Sequence, residues 1–166
     1  MKLFILVLLQ ILDCHGRMVD GDISVSGSYS SMALTDQSRR WGRSIRYFIK
    51  NPELRRPEIR QNISTAFNDF KKNVNCLNVE EIKEGDNVDL LSSEYILFDN
   101  AGPGSGCYSE LGRQRGQPTR INLNPQKGCT DVATIKHELM HSFGFREGLK
   151  NYNFFPVDKN SDIKIS

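Results

Sequence analysis

His137, Glu138 and His141 form the pattern H-E-x-x-H, the group of residues in this chain whose types and spacing best suit chemistry. Residues four apart lie one above the other on the same face of an α-helix. Two imidazoles placed in this way can share one Zn²⁺, each through a ring nitrogen. Glu138 follows the first histidine, so it can reach a metal-bound water without binding the metal, which is the position of a general base. The spacing predicts a zinc-dependent hydrolytic site, although the bare pattern also occurs by chance on solvated helices.

The stretch around this pattern has helical periodicity. At about 100° per residue, its apolar side chains fall on one side; these are Val132, Ile135, Leu139 and Phe143. His137 and His141 fall on the opposite side. Thr130 or Asp131 can cap the start, and Gly144 is a C-terminal stop signal. We therefore expect a helix that packs one face on a core and turns the histidines into a cleft.

Several ordered motifs carry a family resemblance. Residues 137–145, H-E-L-M-H-S-F-G-F, resemble the zinc helix of the astacin family of secreted metalloendopeptidases, which are metzincins. Residues 105–113, S-G-C-Y-S-E-L-G-R, are similar to the family's S-G-C-W-S-x-x-G segment. Gly128-Cys129 stands where the family has its G-C, and Trp41 with residues 45–47 resembles the family's W-x-x-x-I-P-Y. The resemblance covers about residues 41 to 147.

This resemblance implies a fold and an activity. The fold would be α+β and zincin-like, with a twisted mixed sheet and two long helices, the second carrying H-E-x-x-H. The activity would be that of a zinc metalloendopeptidase acting on protein or peptide substrates, with Zn²⁺ on His137 and His141 and Glu138 as general base. The family pattern also pairs Cys107 with Cys129. In the family, the strand just before the zinc helix, here residues 120–124, lies along the cleft and binds the extended substrate by backbone hydrogen bonds.

The third zinc ligand departs from the family pattern. That pattern places a histidine ten residues after the first, and here the residue is Glu147. A carboxylate can bind zinc, and His₂Glu sites are well attested. A one-residue deletion fits equally well, because Glu147 would then match the glutamate that follows the family's third histidine. The sequence leaves both alignments open.

The length of the chain is the second departure. Only residues 149–166, a short tail, follow Gly148, whereas about half of the family's catalytic domain follows the zinc helix. We expect residues 41–148 to form the N-terminal half of a catalytic domain whose C-terminal subdomain is largely missing. Three functions follow: an active endopeptidase, an inactive secreted binding module that keeps a peptide-binding edge strand, or an incomplete gene product.

Residues 1–16 have the features of a signal peptide. Lys2 precedes an apolar run over residues 3–12, which is too short to span a bilayer. Cys14 and Gly16 provide small residues for cleavage after Gly16. No later run is long and apolar enough to act as a membrane anchor, so we expect a secreted product in an oxidising compartment.

Residues 17–40 are predicted to be a pro-segment. Residues 19–22, V-D-G-D, resemble the family's F-x-G-D motif, whose aspartate sits on the zinc; Asp22 would be that residue. A simple Asp-Gly turn accounts for the motif equally well. The family pattern places the mature start near residues 32–36, while the most visible processing site is the dibasic Arg39-Arg40, which directly precedes Trp41.

The rest of the chain gives shorter signals. Residues 45–50, 95–98 and 120–124 are predicted strands, and residues 57–72 a helix with an apolar stripe. Asn62-Ile63-Ser64 is a glycosylation sequon, so Asn62 is a candidate glycosylation site. The net charge is +2, without the basic patch that nucleic-acid binding requires.

The number of cysteines predicts one thiol without a partner in the mature chain. The chain has four cysteines, and signal removal would leave Cys76, Cys107 and Cys129. If the family pairing holds for the last two, Cys76 has no partner within the mature chain. We therefore expect Cys76 to be either a free thiol or the link in a disulfide-bonded dimer.

Overall fold

The computed structural model describes residues 36–74, 76–86 and 93–145. The predicted signal peptide, most of the predicted pro-segment with Asp22, Glu147 and the tail 149–166 lie outside the described residues. Those expectations stay predictions. Within the described ranges, the chain forms five strands and two α-helices.

A five-stranded mixed sheet forms one layer of the molecule. Its strands are β1 (Ser44–Ile49), β2 (Asn78–Glu81), β3 (Ile96–Asp99), β4 (Tyr108–Ser109) and β5 (Thr119–Asn122). The spatial order is β2-β1-β3-β5-β4. All neighbouring pairs are parallel except β4 and β5, which are antiparallel and place β4 at one edge. The expected α+β class with a mixed sheet is confirmed.

Two helices cover one face of the sheet. Helix α1 (Pro57–Asn73) begins at Pro57, which suits a first turn because its missing N–H is not needed there. Its apolar stripe is buried, as the sequence predicts; these residues are Ile59, Ile63, Ala66, Phe67 and Phe70. The ring of Phe67 stacks on Tyr47 of β1, with centroids 5.0 Å apart. This contact fixes α1 on the sheet.

Helix α2 (Val132–Ser142) carries the histidines. Asp131 is its N-cap, with Oδ1 accepting a hydrogen bond from the Thr134 N–H at 3.0 Å, so the cap is Asp131 and not Thr130. Gly144 ends the helical stretch in the left-handed region at φ 98°, as predicted for a stop signal. Phe143 packs edge to face on Phe70 of α1, with centroids 5.1 Å apart. The core therefore holds the inner face of α2 against both α1 and the sheet.

The expectation that residues 120–124 line the cleft is wrong. These residues form β5 and the turn after it, and β5 lies inside the sheet between β3 and β4. The outer side of β5 is covered by β4, in the register Tyr108 to Asn122 and Ser109 to Ile121. A strand of two residues has too little alternation to be recognised in a sequence. Among the described strands, β4 is therefore the edge at this end of the sheet.

Within the described residues, no helix is both long and apolar enough to cross a membrane.

Candidate metal-binding active site

Helix α2 brings His137 and His141 together, as their spacing predicts. Their Nε2 atoms are 3.1 Å apart, and the ring planes are nearly perpendicular, at 86°. Two nitrogens that bind one tetrahedral zinc at about 2.0–2.1 Å are about 3.3 Å apart. The donor chemistry and the spacing of this pair therefore fit a zinc ion.

The described residues supply only these two histidines as ligands for a metal at this site. Among them, no group of three or more histidine, cysteine, aspartate or glutamate side chains is placed to hold a metal. Because Glu147 lies outside these residues, both alignments of the third ligand stay open.

A backbone carbonyl orients His141. Its Nδ1 lies 2.7 Å from the carbonyl oxygen of Phe145. A carbonyl can only accept, so Nδ1 carries the proton and Nε2 keeps its lone pair towards His137. Metal-binding histidines commonly have such a partner on their other nitrogen.

Gly144 makes this contact possible. Its positive φ reverses the chain after α2, and the N–H of Phe145 bonds back to the carbonyl of Met140 at 3.0 Å. Only glycine adopts this conformation without strain. The stop signal at Gly144 was visible in the sequence, but its second role as the support of a histidine was not.

Glu138 is buried, with 4% of its surface exposed, and lines a cavity with both histidines. The volume of this cavity is about 360 Å³. It lies between α2 and the segment around β4, whose residues complete its lining: Cys107, Tyr108, Ser109 and Leu111. The structure therefore places the predicted base beside the predicted metal ligands, in a concave site next to an exposed strand edge.

A disulfide and a backbone hydrogen bond connect the two walls of the cavity. A disulfide joins Cys107, just before β4, to Cys129, shortly before α2, so the pairing implied by the family pattern is confirmed. The N–H of Gly112 donates to the carbonyl of His141 at 2.9 Å. Both ties connect the β4 side of the cavity directly to α2 or its start.

Comparison with known proteins places this site in a family. Residues 33–151 match the family model described as Astacin, a peptidase family. The chain belongs to the astacin family. It is 33% identical over 131 residues to meprin A subunit alpha of Mus musculus, a match that covers 78% of this chain and 15% of that protein. It is 29% identical over 125 residues to protein SpAN of Strongylocentrotus purpuratus, covering 75% of this chain and 19% of that protein.

A shorter match has higher identity. Astacin-like metalloprotease toxin 4 of Loxosceles laeta is 51% identical over 43 residues, which is 25% of this chain and 36% of that protein. The chain spans less than a fifth of the length of SpAN and of the mouse meprin subunit.

Two buried asparagines shape the β4 side of this astacin site. Asn122 accepts from the N–H of Ala101 at 2.7 Å and donates to the carbonyl of Gly106. Asn124 donates to the carbonyls of Gly102 and Ser105, at 3.0 and 2.8 Å. Together they hold the loop 101–106 that leads into β4. No signal in the sequence predicted this role, because neither residue carries a chemical motif.

Cys76 does not have a free thiol in this structure. Cys76 is disulfide-bonded, and its partner lies outside the described residues. The expectation for Cys76 concerns the chain after signal removal, so it stays a prediction. A disulfide-linked dimer through Cys76 stays a prediction.

Asn62 is engaged in the packing of the two helices. Its Nδ2 donates to the carbonyl of Thr130, at 2.9 Å, and the residue is half-buried. Glycosylation at this position stays a prediction.

Proposed function

We propose that this astacin domain is a secreted zinc metalloendopeptidase that uses Glu138 as its general base. The observation that carries the proposal is the 3.1 Å separation of the His137 and His141 Nε2 atoms, with Glu138 lining the same cavity. Bound zinc would supply Lewis acidity towards a peptide carbonyl and towards water. The two imidazoles would hold the ion, and the hydrogen bond from His141 Nδ1 to Phe145 would keep that ring in its binding orientation.

Glu138 would move the proton. Its carboxylate takes a proton from the attacking water and then passes it to the leaving amine, which is general base and general acid catalysis in sequence. Glu138 is buried although His137 beside it is exposed, so the carboxylate is held in place at the floor of an open site.

The edge strand β4 would position the substrate. The Glu110 N–H donates to the Arg120 carbonyl at 2.9 Å, so the alternation of an antiparallel ladder turns the backbone groups of Ser109 away from β5. A peptide lying beside β4 can therefore add to the sheet through Ser109, next to the histidines. Peptide recognition by an exposed strand edge is a general mode of binding.

A second candidate is a secreted binding module without catalytic activity. The same exposed edge of β4 favours it, because backbone pairing with a peptide requires no metal. Peptide binding that persists in Glu138→Gln and after metal removal, in the absence of any cleavage, would favour this candidate over the peptidase.

The experiment that tests the peptidase is cleavage of an unfolded protein such as casein. We expect weak or absent cleavage by residues 1–166, because the sequence predicts only the N-terminal half of the cleft. Cleavage that does occur should stop in the presence of a zinc chelator, return with added zinc, and be absent in Glu138→Gln. Asp131→Asn is a matched control, because it also neutralises one carboxylate of the α2 region but lies at the exposed start of the helix. Cleavage that survives Glu138→Gln would contradict the assignment of the base.

Glu147 is proposed as the third zinc ligand on the ungapped alignment. If it binds, Glu147→Ala should weaken zinc binding, and Glu147→His should strengthen it towards the family pattern. Unchanged affinity in both variants would favour the one-residue deletion.

A further inference from the structure

Residues 36–41, here called the N-terminal strap, are folded into the domain. Asp36 caps a 3₁₀ turn over Gln37–Arg39, with Oδ1 accepting from the Ser38 N–H at 2.9 Å. The N–H of Arg40 donates to the carbonyl of Gln37 at 3.1 Å. The strap contains Arg39-Arg40, the pair that the sequence alone marks as the most visible processing site.

Arg113 binds the strap through both its backbone and its side chain. Its backbone N–H donates to the carbonyl of Arg39 at 2.8 Å, and its Nη2 donates to the carbonyl of Ser38 at 2.6 Å. Its Nη1 forms an ion pair with Glu94. Arg113 therefore binds two consecutive carbonyls of the strap while a carboxylate holds the other end of its guanidinium group.

Glu94 is itself held in its charged form. Its Oε1 accepts from the Gly116 N–H at 3.0 Å. This backbone hydrogen bond, followed by the hydrogen bond and charge of Arg113, lowers the pKa of Glu94 below its usual 4.5 despite some opposing desolvation. The ion pair with Arg113 is therefore present at neutral pH.

The strap also contacts both walls of the cavity. The Arg39 guanidinium donates to the carbonyl of Leu111, which lines the cavity with His137. The indole N–H of Trp41 donates to the carbonyl of Ser142 in α2 at 2.8 Å, and Trp41 is 5% exposed. The peptide bond after Arg40 thus precedes a buried ring that is anchored to the histidine helix.

We propose that the N-terminal strap is a structural brace of the domain, locked by Arg113, and that the Arg39-Arg40 pair is shielded from processing proteases. Proteases cut segments that are exposed and free of such bonds, so cleavage after Arg40 requires the strap to open first. Any removal of a pro-segment that preserves the fold must then cut before Asp36. This inference goes beyond the proposed function and does not depend on zinc.

The test is digestion of the folded full chain with an endoprotease specific for pairs of basic residues, followed by mass spectrometry of the fragments. A synthetic peptide of residues 33–47 gives the rate for the same bond without the fold. Cleavage after Arg40 should be about a hundredfold slower in the folded chain than in the peptide, because it tracks the population of the open strap. Equal rates in chain and peptide would overturn the proposal.

Variants at Arg113 test whether its side chain keeps the strap closed against cleavage. Arg113→Ala should speed cleavage after Arg40 about tenfold, because it removes the charged hydrogen bond to the Ser38 carbonyl and the ion pair with Glu94. The backbone hydrogen bond to Arg39 remains in this variant. Lys127→Ala is the control, because it also removes one positive charge from an exposed position but lies in the turn before α2, away from the strap, and it should cleave at the rate of the original chain. An unchanged rate in Arg113→Ala would overturn the role of Arg113.

An internal control separates local opening from general loosening. Lys71-Lys72 is a second basic pair, near the end of α1, and its cleavage should not change in Arg113→Ala. Equal acceleration at both pairs would overturn the local lock. If Arg113→Ala fails to fold, Glu94→Gln takes its place, because it removes the ion pair and leaves Arg113 itself; it should also speed cleavage after Arg40, and an unchanged rate would overturn the lock.

Discussion

The indole nitrogen of Trp41 donates a hydrogen bond to the carbonyl oxygen of Ser142 over 2.8 Å, although the two residues are 101 positions apart in the chain. Ser142 is the last residue of α2, and the final carbonyls of a helix have no partner within it. Trp41 therefore satisfies a buried acceptor beside His141. The contact connects the start of the domain with the end of the helix that carries the candidate site.

Replacing Trp41 with phenylalanine should destabilise the fold. The Ser142 carbonyl loses its donor in a buried place, which costs about 1–3 kcal/mol, and the smaller phenyl ring leaves a cavity that adds to this cost. Urea unfolding followed by circular dichroism measures the change, because Trp41 is the only tryptophan and fluorescence would be lost. An unfolding free energy equal to that of the original chain would show that this hydrogen bond contributes nothing.

Replacing Gly144 with alanine should weaken both the fold and zinc binding. The left-handed backbone at φ 98° costs a non-glycine residue about 1–2 kcal/mol. Relief of that strain would also move the Phe145 carbonyl away from His141 Nδ1, so zinc affinity should fall about 10-fold or more. Isothermal titration with zinc measures the affinity.

Gly104→Ala is the control for this prediction. Gly104 is exposed, its φ is not positive, and a Cβ there would meet nothing within 4 Å. The control should match the original chain in stability and zinc affinity. If Gly144→Ala behaves like Gly104→Ala, the turn after α2 does not support His141.

The ion pair between Asp69 of α1 and Lys136 of α2 should make stability depend on acid pH. Desolvation raises the pKa of Asp69, but hydrogen bonds from Lys136 and Lys72 outweigh it and hold the pKa below 3.8. A pKa that is depressed in the folded state stabilises the fold above the unfolded value and loses this contribution as pH falls through the folded value.

Asp69→Asn should therefore be less stable than the original chain at neutral pH, and the difference should shrink below about pH 4. Urea unfolding at about pH 7 and about pH 3 measures both differences. Asp86→Asn, at an exposed loop position, is the control. A difference that stays constant with pH would mean that the charge of Asp69 does not stabilise the fold.

The sequence predicted the features that depend on the spacing of nearby residues. The positions of His137, Glu138 and His141 on one helix, and the end of that helix at Gly144, follow from the 3.6-residue period and from glycine's conformational range. The family resemblance added the Cys107–Cys129 disulfide, which spacing alone could not assign.

Long-range pairing was beyond sequence reasoning. A two-residue edge strand at Tyr108–Ser109 has no readable period, so the cleft was assigned to β5, which β4 covers. The hydrogen bond from the Arg113 side chain to the Ser38 carbonyl joins residues 75 positions apart, and no local pattern predicts such a contact. Such contacts depend on the tertiary arrangement of the chain and not on local propensity.

Zinc titration of the metal-free chain tests the central claim, that His137 and His141 form a metal site. We expect up to one zinc per chain, bound with measurable affinity by the original protein and retained by Glu138→Gln, whose side chain is assigned to the proton and not to the metal. The double variant His137→Ala, His141→Ala should bind no zinc, because it removes both nitrogens of the pair. An original chain that holds no zinc at saturating concentrations, or a double variant that binds as much as the original, would show that His137 and His141 do not form a metal site.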